Sequence, residues 1–222
     1  MKNLITIGLP SKGRLKDRAI SFFNDKGLKI LQSDKERNYF ATIENQSNIK
    51  IIYLHAKEII QRLGDGTLDI GISGLDLLNE SKKSLKDKIN IKQKLNFGSA
   101  NLVIAVPDDW IDVQTIADLE EVAFDIRFKR NSRLRVATKY PNLTNDFLIS
   151  KGVTQYKLIS SLGATETYPF IGSSEIISDI TSTGKTLVDN NLRVLKDGLI
   201  LRSQACLLTS KKSRNKIQSL KF

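Results

Sequence analysis

Short apolar runs alternate with amphipathic stretches along this chain. Leu4-Ile5-Thr6-Ile7-Gly8-Leu9 reads as a strand, and the pattern from about Leu15 to Asp25 reads as a helix. Ile49-Lys50-Ile51-Ile52-Tyr53-Leu54 is a second strand, followed by a helix from Ala56 to Leu63. Leu68 to Ile72 is a third, after which Gly74 opens a helix that ends near Glu80. The lysine-rich segment from Asn79 to Lys94 reads as a surface excursion. Ala100 to Val106 restarts the pattern, and further strands are expected at Arg135–Thr138 and Tyr156–Ser160, around a helix from Asn142 to Lys151. Gly198 to Thr209 is apolar enough to cross back between two lobes. Strands separated by helices predict a sheet covered by helices, not a sandwich. The expected fold is α/β with two lobes: lobe I from 1–95 and 200–222, lobe II inserted as 96–199.

Composition narrows the classes. Of 222 residues, 40% are hydrophobic and 27% charged, a globular balance. No run approaches the roughly 20 apolar residues of a membrane span. Met1 to Ile5 leads straight into a strand pattern, without the long apolar stretch of a signal peptide. One cysteine, Cys206, leaves no internal disulfide and suits a reducing cytoplasm. With one His and one Cys, no zinc site of such ligands is expected within the chain, and no metal ligands are assigned.

The net charge of +11 favours anionic partners. Arg127-Phe128-Lys129-Arg130, with Arg133 and Arg135, reads as a solvated loop, and Lys211 to Lys216 as a helix end or frayed tail. Neither cluster has the interleaved aromatics of a single-strand binder, so nucleic acid is not an expected partner.

The strongest chemical signal is Asp179-Ile180-Thr181-Ser182-Thr183-Gly184-Lys185-Thr186-Leu187. An acid follows an apolar run, and hydroxyls, a glycine and a lysine come directly after it. Such a turn can point backbone N–H groups, hydroxyls and an ammonium at one phosphate, while the acid holds ribose hydroxyls. Gly184-Lys185-Thr186 matches the tail of a Walker A loop, but that motif needs glycine where Asp179 stands. A polar turn before a short helix explains the same residues without a ligand.

Three weaker signals accompany it. Pro10-Ser11-Lys12-Gly13-Arg14-Leu15 places two cations and a glycine between a strand and a helix, a natural anion site or an ordinary helix start. Gly66 to Asp76 surrounds a strand with three glycines, which suit either a ligand's approach or helix–sheet packing. The loop Gly163 to Pro169 presents Glu166, a carboxylate for a magnesium ion, a ribose hydroxyl or a developing positive charge.

Taken together, these motifs resemble the ATP phosphoribosyltransferase family, the enzymes that open histidine biosynthesis. The resemblance rests on Leu9 to Leu15, Asp69 to Asp76, Arg135 to Pro141, and most on Gly163 to Glu166 through Gly172, Glu175, Asp179 and Ser182 to Leu187. It implies two α/β lobes like type II periplasmic binding proteins, joined by two crossovers. It implies that Asp179, Thr181, Ser182, Thr183, Gly184, Lys185 and Thr186 hold phosphoribosyl pyrophosphate. Lys12, Gly13 and Arg14, with Asp69 across the cleft, would face ATP and the pyrophosphate. The implied catalytic groups are Glu166, Asp179, Lys12 and Arg14, with Mg²⁺ accompanying the pyrophosphate. A chain ending at Phe222 looks like the family's short form. That form works with a regulatory subunit resembling histidyl-tRNA synthetase, commonly as a hetero-octamer in the cytoplasm. A non-catalytic two-lobed small-molecule-binding protein is the alternative.

Three positions depart from the family pattern: His55 to Ile60, Glu175, and Asn145 where some relatives place an arginine. The last leaves a phosphate contact near 145 unsupported.

Overall fold

The computed structural model describes residues 4–32 and 39–218; Met1 to Asn3, read above as leading into the first strand, lie outside them. From the N-terminus come β1 (Ile5–Pro10), α1 (Gly13–Asp25), β2 (Ile30–Gln32), β3 (Phe40–Ile43), β4 (Gln46–Leu54) and α2 (Ala56–Asp65). Next are β5 (Ile70–Gly74), the short α3 (Leu75–Glu80) and α4 (Lys83–Lys86), and β6 (Ile89–Lys94). β7 (Ala100–Pro107), α5 (Ile116–Arg130), β8 (Leu134–Thr138), α6 (Pro141–Ser150) and β9 (Tyr156–Ser160) follow. The series closes with β10 (Ile176–Thr181), α7 (Lys185–Asp189), β11 (Leu192–Ser203) and β12 (Ala205–Ser210). Two units result, Met1–Gly98 with Gln204–Phe222, and Ser99–Ser203. The sequence put the joins at 95/96 and 199/200; β11 stays paired with β7 as far as Ser203.

The first unit holds a seven-stranded sheet in the order β2-β3-β4-β1-β5-β12-β6. β1 lies between two parallel neighbours, β4 and β5, so both its edges are paired, and helices cover its faces. Ile5, Ile7 and Leu9 meet Ala19 and Phe23 of α1 in one cluster. On the other face Ile59, Ile60 and Leu63 of α2 pack with Leu68, Cys206 and Leu208. Each fully buried side chain of this size contributes about 1.5–3 kcal/mol. Two glycines leave room for the layer on that face: a Cβ at Gly8 would lie 2.5 Å from Leu68 Cδ1, and one at Gly71 2.5 Å from Ile59 Cγ2 of α2. Gly71 therefore serves packing. The lysine-rich excursion expected at 79–94 is instead partly regular, and its end is the edge strand β6 on β12. Lysines on an exposed edge discourage further pairing, which made the segment look like a loop.

Asp69 joins β5 to the C-terminal segment. It is 3% exposed. Oδ2 accepts from the Thr6 N–H at 2.7 Å and from Lys216 Nζ at 2.6 Å, and Oδ1 from the Ser213 hydroxyl at 2.6 Å. The basic segment read as a helix end or a frayed tail is thus anchored on a buried carboxylate.

In the second unit the order is β11-β7-β10-β8-β9. β10 sits centrally, antiparallel to β7 and parallel to β8. Ile116, Leu119 and Ala123 of α5 and Leu148 of α6 cover one face, and Leu187 of α7 with Tyr168 covers part of the other. Arg127 to Arg130 form the last turn of α5 rather than a loop. Phe124 and Phe128 of that helix are 51% and 71% exposed while Ile116 and Leu119 are buried, so apolar residues occur on both sides and blur the helical period. Thr115 and Asp118 close its start as a capping box. A buried hydroxyl chain ties β8, α6 and β10: Thr138 Oγ1 to Thr144 Oγ1 at 3.3 Å, and Thr144 Oγ1 to Ser178 Oγ at 2.8 Å.

Replacing Asp69 with Ala leaves the Lys216 ammonium and the Thr6 N–H without their acceptor. The expected cost is about 2–3 kcal/mol in urea unfolding, because the carboxylate is buried while Lys216 is partly solvated. Lys216→Met should cost less, about 1 kcal/mol. An Asp69→Ala variant within about 0.5 kcal/mol of the parent would remove this anchor from the account.

Candidate functional site

The second unit carries the better-built site. β10 is supported on both sides, so its carboxyl end leads into the turn Ser182-Thr183-Gly184 from a fixed base. Gly184 has φ +77°, in the left-handed region where a side chain is strained. Its N–H donates to Thr181 Oγ1 at 2.9 Å, and the Lys185 N–H donates to Thr183 Oγ1 at 3.3 Å. The N–H groups of Ser182 and Thr183 have no acceptor among the described residues. Donors held by the turn's own hydroxyls and open to solvent suit an arriving anion.

A pocket of about 300 Å³ opens on this turn. Asp179, Thr181, Ser182, Thr183 and Thr186 line it, together with Glu166 and Lys139. Asp179 has a side chain 12% exposed; Oδ1 accepts from the Ile180 N–H at 2.7 Å, and Oδ2 lies 3.4 Å from Lys139 Nζ. Glu166 stands in a 3-10 turn, Thr165–Thr167, entered through Ala164 at φ +43°. The neighbouring Thr165 is buried and shares a 2.9 Å hydrogen bond with the Ser161 hydroxyl, which steadies the turn. The Glu166 carboxylate has no hydrogen-bond or ion-pair partner among the described residues.

Lys185, expected to aim its ammonium at the phosphate, is exposed and is not among the lining residues. The ammonium that lines the pocket belongs to Lys139, which the sequence reading quoted in a motif but gave no role. Its signal was its position between a strand end, Thr138, and Pro141 at the start of α6. Gly184 acts through its backbone conformation rather than by lining the pocket.

In the first unit, Lys12, Gly13 and Arg14 follow the carboxyl end of β1, the strand flanked by two parallel neighbours. Open α/β sheets place ligands outside such strand ends. Gly13 has φ +70°, and the exposed Lys12 and Arg14 have no carboxylate partner among the described residues. Asp69 is not brought to them. It bonds to Thr6 near the amino end of β1, six residues before Lys12, and about 3.3 Å per residue puts it at the other end of the sheet. Its carboxylate is committed to Thr6, Ser213 and Lys216, so the ATP-facing role expected of Asp69 is withdrawn.

Two departures from the family pattern have structural reasons. Glu175 accepts from the Arg135 N–H at 2.6 Å and from its guanidinium at 2.6–3.2 Å, a fork that locks the start of β8 to the start of β10. Asn145 Oδ1 accepts from the Tyr156 hydroxyl at 2.8 Å, a packing role for α6 on β9. A larger pocket of about 690 Å³ lies beside the Glu175–Arg135 fork, with Trp110 and Phe170. It sits at the amino ends of β8 and β10, away from the phosphate-type turn.

Comparison with known proteins bears on the family and the fold. Residues 55–221 match the family model HisG: ATP phosphoribosyltransferase. ATP phosphoribosyltransferases of Brucella melitensis and Brucella suis are each 46% identical over 210 residues, covering 94% of this chain and 91% of theirs. Among solved structures, the ATP phosphoribosyl transferase (HisG:HisZ) complex from Thermotoga maritima superposes with a TM-score of 0.73 at 24% identity, covering 97% of this chain and 94% of that one. The substrate binding protein of an amino acid ABC transporter gives 0.54 at 12% identity, covering 97% of this chain and 88% of that one. These last two show the fold alone, two α/β units of the type II periplasmic-binding-protein kind. Sequence identity over nearly the whole chain goes further: the chain belongs to the ATP phosphoribosyltransferase family.

Proposed function

We propose that the pocket after β10 holds the phosphoribosyl donor of the family's reaction. In that reaction ATP and phosphoribosyl pyrophosphate give N1-(5-phosphoribosyl)-ATP and pyrophosphate, the first step of histidine biosynthesis. One observation carries the residue assignment: an acid-entered turn with hydroxyls and acceptor-free N–H groups faces its own pocket. The 5-phosphate takes the N–H groups of Ser182 and Thr183 and the hydroxyls of Thr181, Ser182, Thr183 and Thr186. Gly184 shapes the turn, and Lys185 adds positive charge outside the lining. Asp179 accepts from the ribose diol.

Adenine N1 attacks the anomeric carbon, the carbon–oxygen bond to pyrophosphate breaks, and the bonding pair leaves with the pyrophosphate. The adenine N6 proton is lost afterwards, so no general base is required at attack. N1 is a weak nucleophile, and positioning and charge screening supply most of the acceleration. Glu166 and Asp179 face the ring as positive charge builds on it. Lys12 and Arg14, cations without a carboxylate partner among the described residues, serve ATP and the leaving pyrophosphate, with Gly13 allowing close backbone approach.

Among the described residues no cluster of three or more His, Cys, Asp or Glu side chains could cage a metal. Mg²⁺ fits this, because it is commonly held by one or two carboxylates plus substrate phosphates. Glu166, without a partner among the described residues, and Asp179, whose contact with Lys139 is long at 3.4 Å, are the carboxylates it would meet, and bound there it would screen pyrophosphate charge.

The likeness to a chain of the HisG:HisZ complex supports a partner subunit. The arrangement proposed is a hetero-octamer with a regulatory subunit resembling histidyl-tRNA synthetase, working in the cytoplasm. No helix among the described residues is long and apolar enough to cross a membrane. A non-catalytic binding protein would rest on the shared fold alone, which does not determine function.

Mixing the chain with ATP, phosphoribosyl pyrophosphate and Mg²⁺, with and without that subunit, should yield phosphoribosyl-ATP in at least one case. No product in either would end the reading. Asp179→Asn keeps the shape but loses the charge that strengthens hydrogen bonds to the ribose. Its kcat/KM should fall about 10- to 100-fold with the unfolding midpoint little changed. Full activity in this variant would remove Asp179 from the site.

A further inference from the structure

We propose that Lys139 is a binding residue for the donor's pyrophosphoryl group. The inference rests on the donor assignment above and extends it to a residue outside the phosphate turn. Charge balance motivates it. The ionisable side chains lining the pocket are Glu166, Asp179 and Lys139, two carboxylates against one ammonium. A phosphoribosyl donor is itself strongly anionic, and among the side chains lining the pocket Lys139 alone offsets the repulsion from these carboxylates.

The ammonium is presented from a fixed base. Thr138 and Tyr140, on either side of Lys139, are 1% and 7% exposed. The Tyr140 N–H donates to Thr138 Oγ1 at 2.9 Å, and Thr138 ends the hydroxyl chain through Thr144 to Ser178. Ser178 pairs in register with Thr138, so Lys139 and Asp179 emerge side by side from adjacent parallel strands. The Lys139 side chain is 38% exposed, and its contact with Asp179 is long, at 3.4 Å. An ammonium has three donors, which leaves donors for a phosphoryl oxygen. Position selects which phosphoryl group it meets. Lys139 stands beside Asp179, which takes the ribose, and the 5-phosphate donors lie farther along the chain, from Ser182 onward. The C1 substituent, the pyrophosphoryl group, is what remains within its reach.

The test compares two fragments of the donor on the full chain by calorimetry with Mg²⁺ present: ribose 5-phosphate and inorganic pyrophosphate. In Lys139→Met, affinity for pyrophosphate and for the whole donor should fall at least about tenfold, while ribose 5-phosphate changes less than about threefold. Lys139→Arg should recover most of the loss. If the methionine variant does not fold, Lys139→Gln takes its place in the same comparison. Unchanged pyrophosphate binding, or an equal loss for both fragments, overturns the inference. A parent chain that turns over ATP and the donor while Lys139→Met binds pyrophosphate normally removes Lys139 and leaves the proposed function standing. A parent chain that binds neither fragment removes both.

Discussion

A phosphate monoester is bound tightly only where donors are fixed before it arrives, because water already satisfies it and mobile donors lose entropy on ordering. In the function proposed for this chain, that requirement falls on the six residues from Thr181 to Thr186. They keep their shape through the hydroxyls of Thr181 and Thr183, which accept from N–H groups inside the turn, and through the left-handed Gly184. The turn in turn depends on β10, held in the middle of its sheet by β7 and β8. The Arg135–Glu175 fork fixes one end of that strand pair, and the Thr138–Thr144–Ser178 hydroxyls fix the other. The site is rigid because the strand beneath it is tied at both ends.

Much of this was readable from residue order. The β–α alternation predicted two α/β lobes, since their strands carry apolar runs such as Ile49–Leu54, with Ile49, Ile51 and Tyr53 buried, and Ile176–Ile177, buried in the middle of its sheet. The turn after β10 stood out because it combines an acid, several hydroxyls and a glycine, and the structure places a pocket on it. What the order of residues hid has physical reasons. Helix α5 exposes Phe124 and Phe128, so its period is blurred. Strand β6 carries the lysines that protect an edge, and so resembles a loop. Asp69 looks like a ligand-site acid within a glycine-rich stretch. Its real partners, Ser213 and Lys216, lie more than 140 positions away along the chain.

Lys185 and Lys139 illustrate the same limit. Adjacency made Lys185 the natural phosphate cation, yet the pocket is lined by a lysine from the neighbouring strand. Parallel pairing brings together residues some 40 positions apart, and no local pattern announces such a meeting. The two cations at the start of α1 remain consistent with a second anion site in the first unit, where a strand end and a left-handed glycine precede the helix.

A crystal of the chain soaked with phosphoribosyl pyrophosphate and Mg²⁺ addresses the central claim directly. The account predicts 5-phosphate density within hydrogen-bond distance of the Ser182 and Thr183 N–H groups, with the ribose diol at Asp179. A donor bound elsewhere, with the turn from Thr181 to Thr186 still facing water, would contradict it.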